Sequence, residues 1–298
     1  MRPLCGIGIY APAGFALDPA GLDRAVARLE AMWDHVIVDP TCHSRWQRFA
    51  ATDGERLAAI MRMARDPRVD LAITLRGGYG WTRLLDQIDF REIALAGKRW
   101  LGYSDFTAFA LAALGHDMIT FAGPVAVSDF GAIAPSAFTI DHCFGLLGQS
   151  RYEVSCTLEG PDNVCTGTLW GGNLAMVAHL VGTPYFPAID GGILFLEDVG
   201  ETPYRIERML YQLHHSRVLE RQRAVLLGRF TEYETSANDG CYDLDAVVAH
   251  LRSVTSVPIY TGLPFGHVPD KLTLPVGGRC TLNVRGDAAT LALFDYGR

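Results

Sequence analysis

Short apolar runs alternate with longer segments of helical periodicity through the first half of the chain. The strand-like runs are 6–10, 35–38, 71–75, 100–103 and 118–121. The helix-like segments that separate them are 22–32, 55–65, 81–87 and 107–114. This order is typical of βαβ units, so it predicts an α/β fold with a mostly parallel sheet flanked by helices. Ligands of such sheets bind at the carboxyl ends of the strands, where functional residues are therefore expected.

The pattern changes after Gly148. Residues 151–170 are polar and strand- or loop-like, which predicts a crossover linker. Beyond them short strand-like runs dominate, at 192–200, 224–230, 259–263, 279–284 and 290–294. We therefore predict a flavodoxin- or Rossmann-like N-terminal domain at 1–150, a linker at 151–170, and a second, smaller, β-rich domain at 171–298.

Composition narrows the class of protein. The 298 residues are 49% hydrophobic and 20% charged, which is typical of a folded globular chain with a sizeable core. A net charge of −7 argues against nucleic acid and anionic membrane surfaces as partners, because both are bound by basic faces. The seven cysteines are scattered without C-x-x-C spacing, so neither a disulfide framework nor a zinc site is predicted. With no signal-like or membrane-spanning segment recognised, we expect a cytoplasmic protein with reduced thiols.

Ser104 lies at a corner between the strand-like run 100–103 and a helix-like run that begins at once. A serine at such a corner exposes its hydroxyl beside backbone N–H groups that can bind an oxyanion. Alternatively, Ser104 or Asp105 only caps the helix, because both residue types are favoured N-caps. Phe106 stands where the last glycine of a G-x-S-x-G elbow would be. Ser104 is the leading candidate for a nucleophile.

A glycine-rich loop, Arg76-Gly77-Gly78-Tyr79-Gly80, follows the strand-like run 71–75. Its glycines permit a close approach to a ligand and offer bare N–H groups to an anion. The alternative is an ordinary tight turn between a strand and a helix. The loop matches neither the phosphate-binding Walker pattern nor G-x-G-x-x-G.

A nucleophilic serine needs a base, usually histidine, and that histidine needs a carboxylate to hold its tautomer. His267 is the best candidate base, because it lies in a proline- and glycine-flanked loop directly after a short predicted strand. Loop histidines are nevertheless more often inert than catalytic. Glu197, at the end of an apolar strand, is the best-placed acid. Alternatively Glu197 complements the dipole of the following helix, a role that Asp198 or Glu201 could fill.

These motifs together resemble the LD-carboxypeptidases, a family of serine peptidases, and among them the enzymes that act on murein tetrapeptides. The resemblance covers essentially the whole chain and implies a triad of Ser104, Glu197 and His267. It also implies an α/β N-terminal domain, a β-rich C-terminal domain, an active site between them, and a homodimer. The motifs that occur in the family's order and spacing are Arg76-Gly77-Gly78-Tyr79-Gly80, Gly102-Tyr103-Ser104-Asp105, Gly123-Pro124, 167–174, Gly182-Thr183-Pro184, Leu196-Glu197-Asp198, Arg205-Ile206-Glu207-Arg208 and Gly266-His267.

The resemblance implies release of the terminal D-alanine from a murein tetrapeptide, where it is joined to the L-configured centre of meso-diaminopimelate. Ser104 would attack the amide carbonyl, His267 would carry the proton to the leaving amine, and Glu197 would orient His267. The oxyanion would accept hydrogen bonds from the backbone N–H groups of Asp105 and of Gly77 or Gly78. No metal or organic cofactor is implied.

Substrate contacts are expected in the glycine-rich loop, from Arg76, Gly77 and Tyr79. The scissile bond lies next to the free carboxylate of the substrate. An acidic protein needs a cationic side chain near the site to bind that carboxylate. Arg76 is the predicted cation, with three alternatives elsewhere in the chain: Arg83, Arg205 and Arg208.

Two other functions stay open at this point. A relative that cleaves peptidyl or aminoacyl nucleotides, as microcin self-immunity peptidases do, would share the triad and differ in the loops that line the pocket. An inactive sensor of murein peptides would be expected to lack Ser104, Glu197 or His267, and all three are present.

Overall fold

The computed structural model describes residues 5–235 and 238–297. The strands are β1 (Gly6–Tyr10), β2 (His35–Val38), β3 (Leu71–Thr74), β4 (Arg99–Gly102), β5 (Thr120–Ala122), β6 (Arg151–Thr157), β7 (Asn163–Asn173), β8 (Ile193–Val199), β9 (Ala224–Thr231), β10 (Ile259–Gly266), β11 (Leu274–Val276), β12 (Arg279–Arg285) and β13 (Ala288–Phe294). The α-helices are α1 (Pro19–Glu30), α2 (Asp53–Arg65), α3 (Phe90–Ala96), α4 (Thr107–Leu114), α5 (Ala137–Leu147), α6 (Leu174–Leu180), α7 (Pro203–His215) and α8 (Leu244–Val254).

The first sheet has six strands in the order β11-β5-β4-β3-β1-β2. Strands β1 to β5 are parallel, and β11, from the C-terminal part of the chain, pairs antiparallel with β5. Every residue of β1 and β3 is buried, as expected for parallel strands that are covered by helices on both faces. This is why their sequences are continuous apolar runs.

The second sheet has seven strands in the order β10-β9-β8-β7-β12-β13-β6. Strands β7 to β10 are parallel to one another, whereas β12, β13 and β6 are added antiparallel. The predicted fold class is confirmed: an α/β architecture with a mostly parallel sheet flanked by helices, and a second, β-rich unit.

Residues 151–170, which the sequence predicts as a linker, lie mainly in β6 and β7 of the second sheet. Strand β6 is the edge strand and buries only Val154. An antiparallel edge strand with one face in water is polar in composition, which explains why this segment resembles a loop in sequence. The predicted domain limits, 1–150 and 171–298, stay predictions.

The predicted helix at 81–87 is instead two single 3-10 turns, Trp81–Arg83 and Leu85–Gln87. Their hydrogen bonds connect residues three apart, from Leu84 N–H to the Trp81 carbonyl and from Gln87 N–H to the Leu84 carbonyl. Neither turn begins with a capping side chain, whereas the seven-residue helices α3 and α6 begin at the caps Asp89 and Asn173. Without a cap the first N–H groups of a short helix lack partners, which disfavours a continuous helix here.

Helices α3, α5 and α8 were not predicted. A side chain caps each of them: Asp89 accepts from Glu92 N–H, Ser136 from Thr139 N–H, and Asp243 from Ala246 N–H. Such caps are readable in a sequence, so they are the signal that could have located these helices.

Helix α4 connects the two sheets. It packs against β5 and β11 of the first sheet, and against β7 and α6 on the side of the second sheet. Its first residue, Thr107, accepts a hydrogen bond from Asn173 N–H at the end of β7, at 3.0 Å. A Cβ on Gly172 would lie 2.3 Å from Thr107 Oγ1, so this contact requires glycine. The corner that precedes α4 therefore lies where the two sheets meet.

Candidate active site

Ser104 occupies the corner between β4 and α4 with a φ of +64°. This left-handed conformation is uncommon for a residue with a side chain, and it is characteristic of strained strand-to-helix elbows that expose a nucleophile. Ser104 makes no capping hydrogen bond to α4 or to the 3-10 turn before it. Its Oγ lies instead 3.1 Å from Nε2 of His267.

His267 connects Ser104 to an acid. Its Nδ1 lies 2.7 Å from Oε2 of Glu197, on the opposite side of the ring from Ser104. Gly266, the last residue of β10, has a φ of +136°, and a Cβ there would lie 2.8 Å from the Arg229 carbonyl oxygen. Glycine at 266 thus lets the chain turn beside β8 and β9 and direct His267 toward the corner. The three predicted side chains form one hydrogen-bonded chain.

Two neighbouring acids end β8, and the structure distinguishes their environments. Glu197 is fully buried and faces His267. Asp198 accepts hydrogen bonds from Asn173 Nδ2 and Ala175 N–H, both at 2.8 Å, so it holds the N-terminus of α6. Burial raises the pKa of Asp198 to about 6, against these hydrogen bonds, which lower it. Because alternate residues of a strand point to opposite faces, only one of the two acids can face His267.

The glycine-rich loop lies directly against the corner. A Cβ on Gly77 would lie 2.8 Å from Ser104 Cβ, closer than side-chain atoms approach one another. The Asp105 carboxylate accepts a hydrogen bond from Trp81 N–H at 3.0 Å, which ties the end of the loop to the corner. Burial raises the pKa of Asp105 to about 6, while the N–H groups of Trp81 and Gly80 lower it. Asp105 therefore anchors the loop rather than capping α4.

Gly77→Ala is expected to displace the Ser104 side chain. We expect labelling of Ser104 by a serine-directed fluorophosphonate to slow by about 100-fold, the usual effect of moving a reacting group by about 1 Å. Gly54→Ala is the matched control, because nothing lies within 4 Å of a Cβ there. It lies in α2 and should raise stability by up to about 1 kcal/mol without changing labelling. Equal labelling of the Gly77 variant and the parent would contradict the close packing of the loop against Ser104.

A cavity of about 420 Å³ opens beside Ser104. Arg76, Gly77 and Gly78 line it, as predicted for the glycine-rich loop, but Tyr79 does not. The Tyr79 ring is directed elsewhere: it is 39% exposed and packs on Phe49, with 5.9 Å between ring centroids. The remaining lining residues are Leu17, Asp18, Arg24, Tyr103, Ser104, Val127, Ser128, Ala132, Ile133 and His267.

Arg76 forms no ion pair with any residue that the structure describes. Its guanidinium donates to the Phe15 carbonyl at 3.4 Å, and burial lowers its pKa from the ordinary arginine value. Two of the alternative cations are paired away from the cavity, Arg83 with Asp53 and Arg205 with Glu201. The third, Arg208, is exposed on α7. Of the four arginines, Arg76 alone lines the cavity beside Ser104.

Comparison with known proteins decides the family. The N-terminal domain profile of the LD-carboxypeptidases matches residues 7–123, and the C-terminal domain profile matches residues 166–282. This chain belongs to the LD-carboxypeptidase family. The two matches cover the positions of Ser104, Glu197 and His267.

Several relatives of this LD-carboxypeptidase match it over nearly the whole of both chains. The murein tetrapeptide carboxypeptidase of Pseudomonas aeruginosa is 29% identical, over 94% of each chain. The crystal structure of muramoyltetrapeptide carboxypeptidase from Oxalobacter formigenes is 45% identical, with a TM-score of 0.93 over 98% of this chain and 100% of that one. The microcin C7 self immunity protein MccF, solved with aspartyl sulfamoyl adenosine, has a TM-score of 0.89 over 99% of this chain and 98% of that one, at 20% identity. At that identity the last likeness concerns the fold alone.

Three residues beside the candidate site were missed by the sequence reasoning. Tyr103 packs its ring against His267, and Lys271 forms a buried ion pair with Asp129 behind Tyr103. Composition could have pointed to Lys271, because Lys98 and Lys271 are the only lysines among 26 lysine and arginine residues.

In the described ranges, no three or more His, Cys, Asp or Glu side chains are grouped as ligands for a metal. Nor does any helix there have the length and apolarity needed to cross a bilayer.

Proposed function

We propose that this LD-carboxypeptidase releases the terminal D-alanine from murein tetrapeptides, with Ser104, His267 and Glu197 as its catalytic triad. The observation that carries the proposal is the hydrogen-bonded chain from Glu197 through His267 to Ser104, at the wall of a cavity that Arg76 also lines. The named activities of the Pseudomonas and Oxalobacter relatives support the substrate.

The first half of the reaction forms an acyl-enzyme. Ser104 Oγ attacks the carbonyl that joins diaminopimelate to D-alanine, and its proton passes to Nε2 of His267. Glu197 keeps the other nitrogen of the ring protonated and stabilises the imidazolium that forms. The oxyanion accepts hydrogen bonds from the backbone N–H groups of Asp105 and Gly78. Each of these bonds contributes about 3 kcal/mol to transition-state stabilisation.

The second half releases the products. The amide C–N bond breaks as His267 gives its proton to the nitrogen, and D-alanine leaves. Water then attacks the ester on Ser104, with His267 accepting the water proton, and the tripeptide leaves as Ser104 regains its hydrogen.

Arg76 binds the terminal carboxylate of the substrate. Because this contact is present in both ground and transition states, we expect Arg76→Gln to raise KM by about 10- to 100-fold with a smaller effect on kcat. Arg208→Gln is the matched control and should leave KM unchanged. A tetrapeptide with a C-terminal amide should bind the parent as weakly as the acid binds the Arg76 variant. An unchanged KM for the Arg76 variant would assign the carboxylate to another cation.

We also propose that the protein acts in the cytoplasm as a homodimer, which the family resemblance supports. Light scattering coupled to size-exclusion chromatography measures the assembly, and a mass equal to the 32.6 kDa of one chain would contradict it.

The direct test of function is incubation with disaccharide tetrapeptide, with D-alanine release followed by mass spectrometry. Release of D-alanine and the tripeptide product is expected. Failure on this substrate, combined with hydrolysis of an aminoacyl sulfamoyl adenosine, would replace the proposal by a nucleotide-directed peptidase. Failure on both, with retained binding of the tetrapeptide, would indicate a sensor.

A further inference from the structure

An ion pair is buried beside the candidate site and takes no part in the proposed reaction. Lys271 is 2% exposed and Asp129 is 8% exposed, and the ammonium of Lys271 bonds Oδ1 of Asp129. The other oxygen, Oδ2, accepts Val125 N–H at 2.8 Å. Burying two charges costs desolvation energy, so such pairs add little stability compared with apolar residues. The position of the Lys271–Asp129 pair beside the candidate site suggests a role other than stability.

The Lys271 ammonium contacts the residue that precedes the nucleophile. Nζ lies 4.8 Å from the centroid of the Tyr103 ring, within the range of a cation–π interaction. The Tyr103 ring in turn meets the His267 ring, with 4.9 Å between centroids and 60° between planes. This is the edge-to-face arrangement that aromatic rings favour. A continuous line of contacts therefore runs from Asp129 through Lys271 and Tyr103 to His267.

His267 needs a second constraint besides Glu197. The hydrogen bond to Oε2 fixes Nδ1, but the imidazole can still tilt about that bond, because a single acceptor does not define a ring plane. Contact with Tyr103 restricts the tilt and keeps Nε2 directed at Ser104 Oγ. We propose that Lys271 is a positioning residue, which holds Tyr103 and through it the plane of the His267 ring. This inference rests on the proposed role of His267 as the base.

The backbone of the His267 loop is held independently of the Lys271 ammonium. Leu272 N–H donates to the Pro264 carbonyl at 2.8 Å and closes the base of the loop. Lys271 N–H donates to Thr139 Oγ1 at 2.9 Å, and that hydroxyl donates to the Pro269 carbonyl at 2.6 Å, which ties the loop to α5. Removal of the Lys271 ammonium should therefore increase the mobility of the Tyr103 and His267 rings while leaving the backbone of the His267 loop in place.

Lys271→Met tests the proposal, with the double variant Lys271→Met, Asp129→Asn as its complement. We expect Lys271→Met to lower both kcat for D-alanine release and the rate of fluorophosphonate labelling by about 10- to 100-fold, with little change in KM. Its melting temperature should also fall, because Asp129 is left buried without a counter-charge. The double variant should recover the melting temperature but neither rate. Lys98→Met removes the other lysine and should behave as the parent.

Two outcomes would overturn the proposal: parent-level rates in Lys271→Met, or a double variant that regains both its melting temperature and its rates, as a purely structural pair would. The labelling reaction separates this inference from the proposed function. A parent that is labelled at Ser104 but releases no D-alanine refutes only the substrate, and the labelling rates of the variants still decide the role of Lys271. A parent that is not labelled contradicts both.

Discussion

Ser104→Ala is expected to lower kcat/KM for D-alanine release by at least about 10⁴-fold, because it removes the hydroxyl that the proposed mechanism uses to form the acyl-enzyme. The Oγ of Ser104 is the atom that His267 contacts, at 3.1 Å, so its removal leaves the base without a proton to accept. Release of D-alanine from disaccharide tetrapeptide, followed by mass spectrometry, measures the loss. Ser155→Ala, on the exposed side of β6, is the matched control.

Ser104→Gly separates loss of chemistry from loss of fold. Glycine adopts a φ of +64° without the steric cost that a side chain carries there, about 1 to 2 kcal/mol. We therefore expect this variant to be at least as stable as the parent to thermal unfolding, and as inactive as Ser104→Ala. Substantial activity in either variant would show that the nucleophile lies elsewhere.

Glu197→Gln is expected to lower kcat by about 10³- to 10⁴-fold while the protein stays folded. The amide preserves the volume of the fully buried side chain but removes the charge that stabilises the His267 imidazolium. An amide that donates to Nδ1 would also select the tautomer whose Nε2 carries the hydrogen, which cannot accept the Ser104 proton. Steady-state kinetics with the tetrapeptide measures the effect, and circular dichroism checks the fold.

The matched control is Glu153→Gln, an exposed carboxylate on β6, which should leave kcat unchanged. If Glu197→Gln retained the kcat of the parent, orientation of His267 would have to come from other contacts. Tyr103 is then the residue to test, because its ring packs on His267.

The fold class is predictable from the sequence because it depends on how short apolar runs alternate with segments of helical periodicity along the chain. Parallel strands that are buried on both faces, such as β1 and β3, are continuous apolar runs. The predicted bounds of β1 to β4 agree with the structure to within one residue. The predictions are wrong at β6, whose outer face is polar, and at 81–87, where two separate 3-10 turns stand in place of a helix. In both places tertiary pairing or backbone conformation outweighs local composition.

The parts of the candidate site that could be predicted are those where a serine or a histidine directly follows a predicted strand. Ser104 follows a strand and precedes a helix, and His267 follows a strand in a glycine- and proline-flanked loop. Both residues can therefore be predicted from the sequence alone. Tyr79 was expected to bind substrate because it belongs to the glycine-rich loop, yet its ring packs on Phe49 instead. Membership of a loop does not determine where a side chain points.

The sequence by itself determined that the chain has an α/β fold, that a serine stands at a strand-to-helix corner, and that a glycine-rich loop follows β3. These are consequences of periodicity and local backbone preference, which depend on neighbours along the chain. Only the tertiary structure decided that Glu197 contacts His267 and that Lys271 lies behind Tyr103. Those contacts join residues 70 and more positions apart, and they depend on how two sheets meet around α4 rather than on any local pattern.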